Sequence, residues 1–370
     1  MELRFFKTAE FIPRSSMINL LSDTVTRPTP GMLQAMWAAE VGDDVFREDP
    51  TVNALEAKCA ELFGHEAALF CPSGTMTNQI ALKAHTRPLD EVICDEMSHI
   101  YQYEVGGYAF HSGLGVNLLH GENGILTASM VAAAVRPTQD WLPRSSLVVI
   151  ENTCNKGGGS IYPMKNIRDI RRVCQEKGLK LHLDGARLFN ALIETGDPPA
   201  TIGAEVDSIS ICLSKGLGAP VGSVLIGYQA FIAESRRLRK AFGGGMRQAG
   251  YLAAAGIYAL DHHVERLRDD HAHARLLAAA LAELPYVGLI RPVETNIVIF
   301  DLLVPAGLAA DADTQAAAKP AGTAGFLAYL KENGIIASAF GPQTIRFVTH
   351  LDVTRPMIEQ ALKVLREFHS

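Results

Sequence analysis

"SISICLSKGLGAPVGS", Ser208–Ser223, places an ammonium at the mouth of an apolar core. Ile209–Leu213 reads as a buried strand, and Lys215 follows between Ser214 and Gly216-Leu217-Gly218. A second apolar run, "VGSVLIG" at Val221–Gly227, begins a few residues later. So short a connection has no room for a crossover helix, so the second run is expected to return antiparallel.

Working outward, short apolar runs alternate with helical patterns. "AALFC" (Ala67–Cys71), "EVICD" (Glu91–Asp95), "SLVVIE" (Ser146–Glu151) and "KLHLD" (Lys180–Asp184) are strand candidates, and Ile167–Lys177 carries apolar residues at helical spacing. This rhythm predicts an α/β fold with a mostly parallel central sheet. A helical stretch over Gly250–Arg268 links it to a second region holding "TNIVIFDL" (Thr295–Leu302), "TIRFVTHL" (Thr344–Leu351) and a final helix over Thr354–Phe368. The expected division is residues 1–255, the N-terminal segment included, for a large cofactor-binding domain and 256–370 for a small one. The alanine-rich Pro305–Gly325 segment reads as a variable excursion.

At 370 residues, 48% hydrophobic and 20% charged, the chain can bury a substantial core. A net charge of −6 argues against nucleic acid or an anionic membrane as partner. The opening "MELRFFKTAEFIPRSS" is too polar for a secretory signal, and no run reaches the roughly 20 apolar residues of a spanning helix. Cys59, Cys71, Cys94, Cys154, Cys174 and Cys212 are scattered without a CxxC pair, the pattern of reduced core thiols in a cytoplasmic protein.

Three polar features fall at strand ends, where open α/β sheets gather their ligands. Ser73-Gly74-Thr75 joins a strand to a helix start, where free N–H groups and the helix dipole suit a phosphate; its plainer reading is an ordinary helix cap. Asp184 closes "KLHLD" and can hold a protonated ring nitrogen, while Arg187 can grip a carboxylate; the plainer reading is a local Asp–Arg pair. Lys215, partly withdrawn from water, can attack a carbonyl to form a Schiff base; alone it reads as an exposed turn lysine. Together the three match the phosphate, ring nitrogen and aldehyde of pyridoxal 5'-phosphate.

The blocks "LLSDTVTRPTPGMLQAM", "VGDDVFREDPTVNALE", "PSGTMTNQIAL", "CDEMSHIYQYEVGG", "ENTCNKGGG", "LHLDGARLFNA", "LSKGLGAPVGS" and "RKAFGGGMRQAG" resemble, in order, those of the low-specificity L-threonine aldolases. The resemblance implies the aspartate-aminotransferase-like fold (fold type I): a mostly parallel seven-stranded sheet in a large domain, plus a smaller C-terminal α/β domain. It implies retro-aldol cleavage of L-threonine, L-allo-threonine and related β-hydroxy-α-amino acids to glycine and an aldehyde. Lys215 would bind pyridoxal phosphate covalently, Asp184 would meet its ring nitrogen, and His99 would lie over the ring as the candidate base. Ser73, Gly74 and Thr75 would hold the phosphate, and Ser22, Arg187 and Arg346 the substrate carboxylate. Lys240 and Arg247 match basic positions that reach a neighbouring subunit's phosphate in a homotetramer built from dimers. Thr24 and Thr26 lie where some members bind a cation, which leaves any metal here unassigned. Other reactions of the same fold (β-elimination, racemisation, transamination) and a non-catalytic regulator are the competing readings.

Two positions depart from the family pattern. Trp141 stands where a histidine is common, and Cys154 replaces the histidine of Glu-Asn-Thr-His-Asn. If Trp141 lines the side-chain end of the substrate site, a preference for larger or aromatic aldehydes is expected.

Overall fold

The computed structural model describes residues 17–303 and 322–368. The strand candidates at Asp90–Asp95 and Ser208–Cys212 are buried at every position, which explains their unbroken apolar reading: helices cover both faces of a parallel sheet. The large sheet has seven strands, ordered Ala67–Cys71, Ser223–Gly227, Ser208–Cys212, Lys180–Gly185, Arg144–Glu151, Asp90–Asp95 and Gly115–Leu119. All neighbours pair in parallel except Ser223–Gly227, which runs antiparallel to both strands beside it. The short return from Lys215 therefore behaves as its length requires.

Gly115–Leu119 was not among the sequence candidates. It forms one sheet edge, and no position in it is fully buried, so the apolar signal that marks the inner strands is weak there.

A second core surrounds a four-stranded antiparallel sheet ordered Ser338–Ala339, Thr344–Val348, Ile297–Leu302 and Val287–Ile290. Helices Leu267–Leu281, Thr323–Glu332 and Arg355–Arg366 pack Leu277, Phe326 and Ile358 into it. Phe300 sits at its centre, edge-on to Phe347 at 5.2 Å and to Phe326 at 6.1 Å. This is the smaller C-terminal domain, and the whole is an α/β molecule of the fold type I class.

Two packing details cross the expected division. Ile18 and Leu20 pack in the small core, because Ile18–Asn19 pairs in parallel with Ile335–Ile336 and Leu20 accepts the Val348 amide hydrogen. The N-terminal segment thus belongs with the small domain in packing. The helix Gly250–His262, through which a cut at 255 would pass, buries Ala253, Ala255 and Ala259 in the large core. Most of the Pro305–Gly325 excursion lies outside the described residues.

All six cysteines are buried free thiols. Among the described residues, no helix is long and apolar enough to cross a membrane.

Replacing Phe300 by alanine removes the ring that joins two edge-to-face contacts in the small core. The expected cost is about 3–5 kcal/mol of unfolding free energy, measured by chemical denaturation.

Candidate active site

The carboxyl ends of three adjacent parallel strands carry acids: Asp95, Glu151 and Asp184. Register sets Glu151 directly beside Asp184, and Asp184 beside Ser210. Beyond Ser208–Cys212 the chain turns sharply, with the Gly218 amide donating to the Lys215 carbonyl at 2.8 Å. Gly218 has φ +78°, and a Cβ there would press on Leu351, so this turn requires glycine. His263 Nδ1 donates to the Leu217 carbonyl at 2.7 Å and fixes the loop from behind. Lys215 is half-buried, with no ion pair among the described residues.

Asp184 is buried and satisfied. Its Oδ2 accepts from Asn78 Nδ2 at 2.8 Å, and its Oδ1 accepts from the Ala186 amide at 3.1 Å. Asn78 comes from the helix Gly74–His85, whose cap is Ser73, with Oγ accepting from the Met76 amide at 3.2 Å. Ser73 and Thr75 are exposed at this helix start, so the seat for an anion is open to an incoming group.

His99 stands next to this acid. Its Nδ1 lies 2.9 Å from Glu104 Oε1, which also accepts from Asn78, while Gln79 holds Glu104 Oε2 at 2.6 Å. Donor atoms of His99, Glu104 and Asp184 all fall within 4.8 Å of one another. Burial works against the His99 cation, but the Glu104 hydrogen bond and the Asp184, Glu104 and Glu151 charges outweigh it and raise its pKa. Glu151 accepts the His99 amide at 2.7 Å and the Asn155 amide at 2.9 Å. Burial, then the Asp184 charge, push Glu151 up to about 7.

On the other side lies a buried ion pair. Arg187 Nε donates to Asp23 Oδ2 and Nη2 to Asp23 Oδ1, both at 2.7 Å. Burial raises the Asp23 pKa, yet the Arg187 charge and hydrogen bonds, with help from Lys215 and Asn296, bring it down to about 2. Arg187 spends two of its five N–H donors on Asp23, which leaves both Nη1 hydrogens and the second Nη2 hydrogen for a carboxylate. Arg346 offers further donors. It donates to Asn155 Oδ1 at 3.0 Å and to the Leu21 carbonyl at 3.1 Å, and its Nε is buried without a partner. Burial and the nearby Arg187 charge lower it to about 10. Two guanidinium groups close enough for one to lower the other's pKa, one of them with a buried donor left unpaired, call for an anion. Ser22 Oγ accepts from the Thr24 amide and hydroxyl, which leaves its own hydrogen to donate.

The donor set fits pyridoxal phosphate with an amino acid: open amides at a helix start, an anchored strand-end carboxylate, a half-buried lysine, and two neighbouring arginines, one with an unpaired buried donor.

Other expected residues lie elsewhere in the chain. Trp141 is 78% exposed and comes just before the strand that ends at Glu151, at the opposite end of that strand from the acid. Cys154 is buried against Gly124, bridged through its amide to Ser160, and burial pushes its thiol up. Lys240 is exposed at the end of helix Gln229–Ala241, and exposed Arg247 pairs with Asp43 at 2.7 Å. Thr24 and Thr26 hydroxyls are spent locally on Ser22 and the Asp23 carbonyl. Sequence reasoning missed Asp23, Asn78, Glu104, Glu151 and Asn155. Glu151 carried a usable signal, since it closes a strand as Asp184 does.

A family model described as "Beta-eliminating lyase" matches residues 19–304. The chain is 41% identical over 353 residues to the low specificity L-threonine aldolase of Escherichia coli K12, covering 95% of this chain and 99% of that protein. It is 40% identical over 359 residues to a probable low-specificity L-threonine aldolase of Arabidopsis thaliana, covering 95% and 98%. Among solved structures, the threonine aldolase of Leishmania major superposes with a TM-score of 0.79 at 22% identity, over 94% of this chain and 98% of that one, a likeness of fold.

Asp23→Asn leaves Arg187 buried and unpaired, so unfolding free energy at pH 7 is expected to fall by about 3–5 kcal/mol. The Asp23 pKa is depressed in the folded protein, so its contribution is present above about pH 4 and lost as pH falls towards 2. Denaturation curves of wild type and variant should therefore converge by about 2 kcal/mol over that window.

Proposed function

The chain belongs to the low-specificity L-threonine aldolase family, and on that premise we propose that it cleaves L-threonine, L-allo-threonine and related β-hydroxy-α-amino acids to glycine and an aldehyde with pyridoxal 5'-phosphate. What supports this reading is that Lys215, Arg187 and Arg346 all lie within the charge field of Asp23, while Asp184, three residues before Arg187, is anchored by Asn78 and grouped with His99.

When bound, the cofactor supplies an electron sink for the pair left at Cα as the Cα–Cβ bond breaks. Lys215 is the attachment point, with the small Gly216 and Gly218 beside it. Asp184, fixed by Asn78 and the Ala186 amide, holds a proton on the ring nitrogen. The exposed first turn at Ser73, Gly74 and Thr75 holds the phosphate. Arg346, the Nη1 and remaining Nη2 hydrogens of Arg187 and the Ser22 hydroxyl would hold the substrate carboxylate. Orientation of that carboxylate would decide which bond at Cα is presented for cleavage.

His99 is the base for the β-hydroxyl. Glu104 occupies Nδ1, so the proton moves at Nε2, the ring nitrogen left free. The Asp184 and Glu151 charges beside it stabilise the protonated ring that results.

Assembly into a homotetramer of dimers is part of the proposal, supported by exposed Trp37 and Phe46 and by the outward Lys240 and Arg247. The division of the chain into two domains near residue 255 and a cytoplasmic setting are proposed with it. The free thiols agree with that setting.

The holoenzyme given L-threonine should release glycine and acetaldehyde in equal amounts, and Lys215→Ala should lose at least about a thousandfold in rate. A 2-oxo acid with ammonia in place of glycine would instead establish β-elimination. Because the His99 pKa is raised, its basic form grows in above pH 6.5, and kcat/KM should climb with pH there. Glu104→Gln removes the raising partner and should move that limb to lower pH in the kcat/KM profile.

A further inference from the structure

Behind Asp184, on the side away from the substrate space, four polar side chains run into the protein in a line. His182 lies two residues before Asp184 on the same strand, so both point to one face. His85 and Asn78 lie seven residues apart on one face of the helix Gly74–His85. Ser208 on the neighbouring strand closes the line. The contacts are His85 Nε2 to Ser208 Oγ at 2.8 Å, Ser208 Oγ to His182 Nδ1 at 2.8 Å, and His182 Nε2 to Asn78 Oδ1 at 3.2 Å.

Donor chemistry fixes the direction of every link. The Asn78 amide nitrogen faces two carboxylate oxygens, Asp184 Oδ2 at 2.8 Å and Glu104 Oε1 at 2.9 Å, so Nδ2 must be there and Oδ1 must face His182. An amide oxygen only accepts, so His182 carries its hydrogen on Nε2. His182 is fully buried, and burial keeps it neutral, its pKa brought down to about 4 against the opposing pull of Asp184. Its Nδ1 is then a bare acceptor, which the Ser208 hydroxyl must fill. Ser208 has a single hydrogen, so its oxygen accepts from His85 Nε2–H. His85, stacked on Phe231 at 4.3 Å, is held neutral by burial and by His182, with Asp207 and Lys180 pulling in opposite senses.

We infer that His85, Ser208, His182 and Asn78 form a one-way hydrogen-bond chain that ends on Asp184, and that His182 is the positioning residue that locks Asn78 onto that carboxylate. Without a donor from His182, Asn78 Oδ1 is left buried without its partner, and the amide loses the contact that holds it in place from the side opposite Asp184 and Glu104. The chain also polarises link by link towards Asp184 and favours its anion. The role assigned to Asp184 rests on the cofactor reading above; the direction of the chain does not.

Two measurements test this separately. In the ligand-free full chain, 15N NMR of the imidazoles, assigned by comparison with a His182 variant, should show His182 neutral and protonated on Nε2 from pH 6 to 8. An Nδ1–H tautomer or a cation there overturns the chain, whatever the variants do. In the holoenzyme, His182→Phe keeps a flat ring without a donor and should lower kcat about tenfold with the amino acid KM unchanged, because the carboxylate clamp lies elsewhere. His182→Gln, which regains an N–H, should recover much of the loss. Equal losses in both variants, or a raised KM with wild-type kcat, overturn the positioning role. If His182→Phe fails to fold, His182→Gln and the wild-type spectrum decide. Wild type that turns over no β-hydroxy-amino acid overturns the functional reading instead, and leaves the NMR result to judge the chain.

Discussion

One buried carboxylate joins the parts of this molecule that must meet. Asp23 stands on the N-terminal segment that pairs with the small domain, and it holds Arg187 at the end of a central strand of the large sheet. It also accepts from Asn296 at 3.3 Å, and Asn296 in turn donates to the Thr349 carbonyl in the small domain. Lys215 contributes to its charge balance. A charge pair this deep persists only when its geometry is well made, and here both carboxylate oxygens are engaged. The fold thus sets the lysine loop, the strand-end acid and the small-domain arginine in fixed relation through a single anchor.

Around that anchor the charges separate by task. Arg187 and Arg346 make one side cationic, where Asp23 balances the first guanidinium and the second has no ion pair among the described residues. Asp184, Glu104 and Glu151 make the other side acidic around His99. Burial and mutual repulsion raise Glu151, while two backbone amides keep it useful as an acceptor. The same three acids hold His99 in a state from which one nitrogen can exchange a proton. Opposite electrostatics thus stand a few side chains apart.

Much of this was legible in the sequence. Inner strands read plainly because both faces are covered, and the antiparallel return after Lys215 followed from loop length alone. Strand-end position found Asp184, and the turn before a helix found Ser73-Gly74-Thr75. What was lost depended on contacts distant in sequence. Asp23 and Arg187 are 164 residues apart, and no local pattern shows that the arginine is already engaged. Glu104 lies five residues from His99 across a broken turn, outside any regular spacing. Trp141 precedes the strand that ends at Glu151, as the order of the blocks has it, and only the strand's length shows how far from Glu151 that is. Ile18 and Leu20 join the small core only because the chain start crosses to a strand near its end.

The central claim is that Lys215 is where the cofactor is covalently held. Protein loaded with pyridoxal phosphate, reduced with borohydride, digested and mapped by mass spectrometry, should carry the pyridoxyl mass on Lys215 and on no other lysine. A modified lysine elsewhere with Lys215 unmodified, or no stable adduct at all, would contradict the account.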